Sequence, residues 1–184
     1  MKIIDNALND SLLISIKERI ESKSSMPWYF IEDSAAAPTQ FHSNLLNYSF
    51  YHLVFSDNEI FSSAAERTHS VGLILKDLFE LEKTYNVYGL RWGMTTTLNK
   101  IHRHAPHTDY PFDHKVILFY LNDSDGDTYF YDNEHKIIDS VTPKENRAVL
   151  FDGSILHSSS KPIKFARRIV LSIDFMNKQN EKDI

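Results

Sequence analysis

A chain of 184 residues with 42% hydrophobic and 12% aromatic side chains can bury a core of its own, which excludes a disordered or fibrous protein. Cysteine is absent, so disulfides and thiolate chemistry are excluded, and any metal must sit on His, Asp or Glu. A formal net charge of −5 argues against nucleic-acid binding by phosphate neutralisation, while leaving room for a small local basic groove.

The apolar run at 71–75 falls far short of the ~20 residues that a bilayer span requires. The opening stretch MKIIDNALNDS lacks the long apolar region of a secretory signal, so the expected location is the cytoplasm, with no membrane partner. No repeat, low-complexity run or Pro/Gly/Ser linker interrupts the chain, and one domain over 1–184 is expected.

A first helix is predicted from Asn9, a good N-cap, with Leu12, Leu13, Ile16 and Ile20 on one stripe. The aromatic and β-branched stretches 28–32 and 48–55 read as strands. Ser56 followed by Glu59 reads as a capping box for a second helix over about 57–83. Its apolar stripe would be Ile60, Phe61, Ala64, Ala65, Val71, Ile74, Leu75, Leu78 and Phe79.

After Tyr85 the texture changes to short strand-like runs at 86–98, 114–121, 128–131, 147–151 and 168–175. Turn chemistry separates them at 122–127 (NDSDGD), 132–136 (DNEHK), 142–146 (TPKEN) and 152–154 (DGS). Helices followed by many short strands predict a mainly β protein with supporting α-helices. The architecture expected is a double-stranded β-helix (jelly roll) with the N-terminal helices packed on one sheet. Residues 1–85 form the support region in this reading, and 86–176 the jelly-roll core.

Nine histidines are present, five of them between His102 and His135. His107 and Asp109 stand at i and i+2, so on a strand both side chains leave the same face. Imidazole plus carboxylate, completed by one distant histidine, makes the facial triad of non-heme Fe(II) oxygenases, which leaves open positions for co-substrate and dioxygen. The distant candidate is His157, which follows the 147–151 strand and the Gly153 turn. A His-x-Asp pair alone is common and more often lies on a surface. The order of the surrounding segments adds the specificity.

Those segments are HAPHTDYP (104–111), KVILFYLND (115–123), DGDTYFYD (125–132), VTPKENRAVLFDG (141–153), HSSSKP (157–162) and RRIVLSIDF (167–175). In this order they resemble the catalytic core of the Fe(II)/2-oxoglutarate-dependent oxygenases, nearest the prolyl-hydroxylase-like group. The resemblance covers roughly the C-terminal half and departs in a minor way at Gly126-Asp127, where the family often has a Gly-Gly pair. It implies Fe(II) on His107, Asp109 and His157, with 2-oxoglutarate as co-substrate and dioxygen as oxidant. The products would be succinate, CO2 and a hydroxylated substrate.

The distal carboxylate of the co-substrate needs a guanidinium in a poorly hydrated pocket. Arg167 and Arg168 are both placed for this, and on a strand they point to opposite faces. Arg167 shares its parity with Ile169, Leu171, Ile173 and Phe175, a face suited to packing under helices. Arg168 shares its parity with Val170, Ser172 and Asp174, a face suited to a polar interior. Arg168 is therefore the expected anchor, in keeping with the family register, and Ser172 adds a hydroxyl. Tyr120 reads equally as a further carboxylate partner or as a core tyrosine.

Among the other histidines, His102 and His104 are expected in the irregular approach to the metal segment. His114 and His135 are expected to be solvated beside turns, and His42, His52 and His69 have no carboxylate at ligand spacing. The substrate expected is a protein prolyl residue or a small molecule. Two other readings remain: a non-catalytic jelly-roll binding module, and a cupin-type metal enzyme that recruits His102 and His104 without 2-oxoglutarate. Oligomeric state is not legible.

Overall fold

The computed structural model describes residues 1–22, 26–32 and 46–178. His42 lies outside the described residues. Two helices accompany a set of antiparallel strands. In chain order they are β1 (Lys2–Ile4), α1 (Asp10–Glu21), β2 (Tyr29–Ile31), β3 (Ser49–Ser56), β4 (Glu59–Ile60) and α2 (Ala65–Leu78). There follow β5 (Tyr85–Thr96), β6 (His114–Tyr120), β7 (Thr128–Tyr131), β8 (Ile137–Val141), β9 (Arg147–Asp152), β10 (His157–Ser159) and β11 (Arg167–Asn177). The major sheet runs β1-β9-β6-β11-β5-β3-β2, with β4 paired to β3, and the minor sheet runs β10-β7-β8. The described residues are thus mainly β with two supporting helices, in a jelly-roll arrangement.

Alternation along the central strands divides the interior into two cores. On β6, Ile117 and Phe119 pack with Ile169, Leu171, Ile173 and Phe175 of β11 and with Leu13, Ile16, Ile20, Val71 and Leu75 of the helices. Val116, Leu118 and Tyr120 point the other way and pack with Val170, Phe130, Val141 and Phe151 between the sheets. Two residues per pleat place these two sets on opposite faces. The helices therefore cover one side of the major sheet and the minor sheet faces the other.

Helix α1 begins as expected, with the Asn9 side chain accepting from the Leu12 N–H at 3.0 Å. The second helix starts later than its sequence suggests. Ser56 and Glu59 do not form a capping box: they pair across a two-residue hairpin between β3 and β4. Asp57 and Asn58 both take positive φ (50° and 62°), which short polar side chains tolerate and which matches the twist of paired strands. Ile60 and Phe61, expected on the buried stripe, are exposed, and α2 instead buries Ala65, Thr68, Val71, Gly72 and Leu75. The Ser62 hydroxyl accepts from the Ala64 N–H just ahead of the first turn.

Besides β4, three further described strands join those read from the sequence. β1 pairs with β9, β8 pairs with β7, and β10 carries His157. No described helix is long and apolar enough to cross a membrane.

Candidate metal and co-substrate site

Between β5 and β6 the chain runs without a strand, touching the minor sheet through isolated bridges. One bridge joins His107 to His157: each backbone N–H donates to the other's carbonyl, at 3.0 and 2.9 Å. The two imidazoles therefore leave neighbouring backbone positions on the same side, with ring centroids 4.9 Å apart. Each ring has Nδ1 at 3.1 Å from the carbonyl two residues upstream, Ala105 for His107 and Ile155 for His157. A carbonyl can only accept, so the proton belongs on Nδ1 and the lone pair of Nε2 faces the site, as a metal-binding imidazole requires.

Asp109 completes the group. One ligand atom from each of His107, Asp109 and His157 lies within 4.8 Å of the others. Neighbouring ligands of a single ion stand about 3 Å apart at metal–ligand distances near 2.1 Å, so small side-chain adjustments suffice. The His157 Nε2 is already 3.3 Å from Asp109 Oδ2. Burial by itself would raise the Asp109 carboxyl. The adjacent His157 imidazole and the charge of Arg91 outweigh it and hold the group well below the usual carboxylate range. Burial lowers His107, and the neighbouring His157 lowers it further. Asp109 is therefore ionised and His107 is held towards its neutral form, as donation to a cation requires.

Opposite the trio, the pocket is closed by Arg168, Ser172, Val170, Thr95 and Thr128. Arg168 is 4% exposed and its Nη2 donates to Thr128 Oγ1 at 2.9 Å. Tyr120, fully buried, shares a 2.7 Å hydroxyl contact with the same Thr128 and lies beneath the guanidinium. Its hydroxyl thus reaches Arg168 through Thr128. Three buried polar atoms here have no protein partner: Arg168 Nε, Ser172 Oγ and Thr95 Oγ1. Unsatisfied buried groups cost about 1–3 kcal/mol each, so a cluster of them facing a cavity signals a missing polar ligand. Arg167 points away and pairs with Glu21 at the end of α1, at 2.7 Å.

Four site residues were not found from the sequence. Arg91 donates to Asp109 Oδ1 at 2.9 Å, Asp174 sits buried behind it, and Thr95 and Thr128 line the pocket. Arg91 and Thr95 share one parity of β5, opposite to Leu90 and Trp92, and that alternation is the signal that could have revealed them.

Other histidines stand apart from the trio. His102 bonds Asn47 at 2.9 Å, and His104 lines the pocket with Nδ1 at 3.0 Å from Ser159 Oγ. Burial pushes His104 down to about 3, aided by the charge of Lys161, so it is neutral. Neither belongs to the ligand group found among the described residues. His114 is a correction: it is 1% exposed rather than solvated, with Nδ1 at 2.7 Å from the Phe112 carbonyl.

No family model matches this chain, and no curated protein matches it by sequence. Solved structures do match. A prolyl hydroxylase from Trichoplax adhaerens, in complex with a hypoxia inducible factor oxygen degradation domain peptide, aligns over 98% of this chain and 85% of its own. The TM-score is 0.68 at 16% identity. An oxidoreductase of the 2OG-Fe(II) oxygenase family from Burkholderia pseudomallei aligns over 95% and 85%, with TM-score 0.70 and 12% identity. The non-heme alpha ketoglutarate dependent epimerase SnoN, of nogalamycin biosynthesis, aligns over 95% and 77%, with TM-score 0.64 and 13% identity. The fold is thus that of the Fe(II)/2-oxoglutarate oxygenases, prolyl hydroxylases among them. A His-Asp-His trio spaced so that it could hold a metal ion lies in its pocket.

Proposed function

We propose that this protein is an Fe(II)- and 2-oxoglutarate-dependent dioxygenase that hydroxylates a protein prolyl residue or a small molecule. The observation that carries this reading is the polarity of one pocket. The His-Asp-His trio stands at one end, and a buried arginine with unmet hydrogen-bonding capacity stands at the other. A dicarboxylate chelating a cation at the first end would satisfy the second.

The residues present fit both groups. His107 and His157 would offer Nε2 and Asp109 one oxygen, a two-imidazole, one-carboxylate donor set suited to Fe(II). Arg168 would take the far carboxylate of 2-oxoglutarate, and Ser172 and Thr95 would donate to it or to the chain beside it. When bound, iron and co-substrate supply the oxidising chemistry, with dioxygen consumed and succinate and CO2 released as a substrate C–H bond becomes C–OH. The protein's own part is to orient these groups and exclude water: Phe151 packs its ring on His157 at 4.9 Å, and Val170 and Leu118 line the pocket floor.

Anaerobic protein with Fe(II) and 2-oxoglutarate is expected to develop a visible charge-transfer band that needs all three components. A colourless mixture with metal demonstrably bound would overturn the reading. Candidate peptides and small molecules are then separated by which of them raises succinate release.

A further inference from the structure

We propose that Arg91 is a positioning residue for the metal site. It holds one oxygen of Asp109 so that the other is presented to the metal. The inference rests on the reading of His107, Asp109 and His157 as metal ligands, and it assigns a task to a residue outside that trio.

The need for such a group follows from how Asp109 is held. On a regular strand, a residue two positions after His107 would be fixed by the ladder, with its side chain parallel to that of its neighbour. Here the ladder amounts to a single bridge at His107, and Asp109 lies past it in a bend. Backbone pairing fixes the two imidazoles through reciprocal hydrogen bonds, whereas the carboxylate depends on its side-chain contacts. The Arg91 Nη2 supplies one, 2.9 Å from Oδ1, on the oxygen turned away from His157. Oδ2 is left towards the two histidines.

Arg91 is itself held firmly. It lies in the middle of the major sheet on β5, directly opposite Ser172 of β11 and Leu53 of β3. Its guanidinium lies over the Tyr51 ring, with the carbon 5.1 Å from the centroid. The carboxylate side chain is only 5% exposed, so little water competes for Oδ1. An arginine paired on both sides within a sheet is a fixed reference point, and it joins the strandless part of the ligand set to the major sheet. It also blocks a two-oxygen mode of binding, which keeps a position free for co-substrate.

The test is anaerobic titration with Co(II) alone, followed by its visible spectrum, for wild type, Arg91→Gln and Arg91→Lys. Partners that orient a metal ligand typically change metal affinity about 10- to 100-fold when removed. We expect Arg91→Gln to weaken Co(II) binding within that range and to alter the spectrum as Asp109 reorients. Arg91→Lys keeps the charge but not the planar donor over Tyr51, and should fall between the two. Unchanged affinity and spectrum in Arg91→Gln overturn the inference. If that variant fails to fold, the same result in Arg91→Lys overturns it. Wild type that fails to bind Co(II) overturns it as well. Co(II) binding with the expected order of variants, but no response to 2-oxoglutarate, would sink the oxygenase reading and leave the role of Arg91 standing.

Discussion

Arg168 and Arg167 are adjacent in sequence and opposite in circumstance. Arg168 is buried against Thr128 and Tyr120, whereas Arg167 forms an ion pair with Glu21 in which both side chains are well exposed. Truncating one side of a buried charged pair costs on the order of 2–5 kcal/mol, and each ~1.4 kcal/mol is tenfold. Arg168→Ala should therefore raise the 2-oxoglutarate concentration for half-maximal succinate formation about thirty-fold or more. Arg167→Ala removes a surface pair worth about 0–1 kcal/mol and should shift that concentration little. Equal small effects would place the dicarboxylate elsewhere. Lys115 is a poor substitute, being paired with Asp152.

Asp174 offers a pH test of the same interior. Burial and the negative charge of Asp109 push its carboxyl well above the usual range, with Arg91 only partly opposing them. A carboxyl with a raised folded-state pKa binds more protons folded than unfolded. Stability is therefore full below the unfolded value near 3.8 and falls as pH rises towards the folded one. Asp174→Asn removes that dependence. Metal-free Asp174→Asn should be more thermostable than wild type at neutral pH, and the gain should vanish as pH drops towards 4. A gain that stayed constant with pH would mean that Asp174 does not titrate in this way.

At the scale of elements, two contacts hold the turns that aim the site. Asn146 sits at φ 63° just before β9, and its side chain accepts from the Leu8 N–H and donates to the Leu8 carbonyl, at 2.9 and 2.8 Å. Asn146→Ala would leave two buried backbone groups unpaired and add the left-handed penalty, about 2–4 kcal/mol in all by chemical denaturation. Asn146→Gly should recover only the backbone part. Gly153 is needed for space rather than for its φ: a Cβ there would lie 2.1 Å from His114 Nε2. Gly153→Ala should destabilise the turn leading to His157 and weaken metal binding with it.

These elements also show why some features were legible in the sequence and others not. The 147–151 and 168–175 strands announce themselves because short, largely apolar runs stand there between turn signals. Asn9 capped α1 where expected because a cap is a local contact. Ser-Asp-Asn-Glu misled because the letters of a capping box also fit a tight hairpin, and only the positive φ of Asp57 and Asn58 separates the two. β8 gave no signal, since four of its five residues are exposed and the core-facing alternation is missing. Order and spacing singled out His107, Asp109 and His157, and the structure brings them together. Arg91 escaped because its partner lies 18 residues on, across a segment without regular structure, and no spacing rule reaches that far.

Across the whole molecule, the pocket draws on both sheets. Arg91, Thr95, Arg168 and Ser172 come from the major sheet, Thr128 and His157 from the minor sheet, and Asp109 from the segment between β5 and β6. A ligand that touches all of them ties the two layers together and stabilises the fold as a unit. Binding to the folded state alone adds about 2.7 kcal/mol at a hundred times the Kd, which for a chain of this size raises Tm by roughly 5–10 °C. Mn(II), which avoids oxidation in air, should therefore raise the Tm of metal-free protein, and 2-oxoglutarate should raise it again only when metal is present. In Arg168→Ala the metal increment should persist and the 2-oxoglutarate increment should disappear. In His157→Ala both should be lost, while His102→Ala should keep both. A 2-oxoglutarate increment surviving in Arg168→Ala would show that the dicarboxylate does not span the pocket from the metal to that guanidinium.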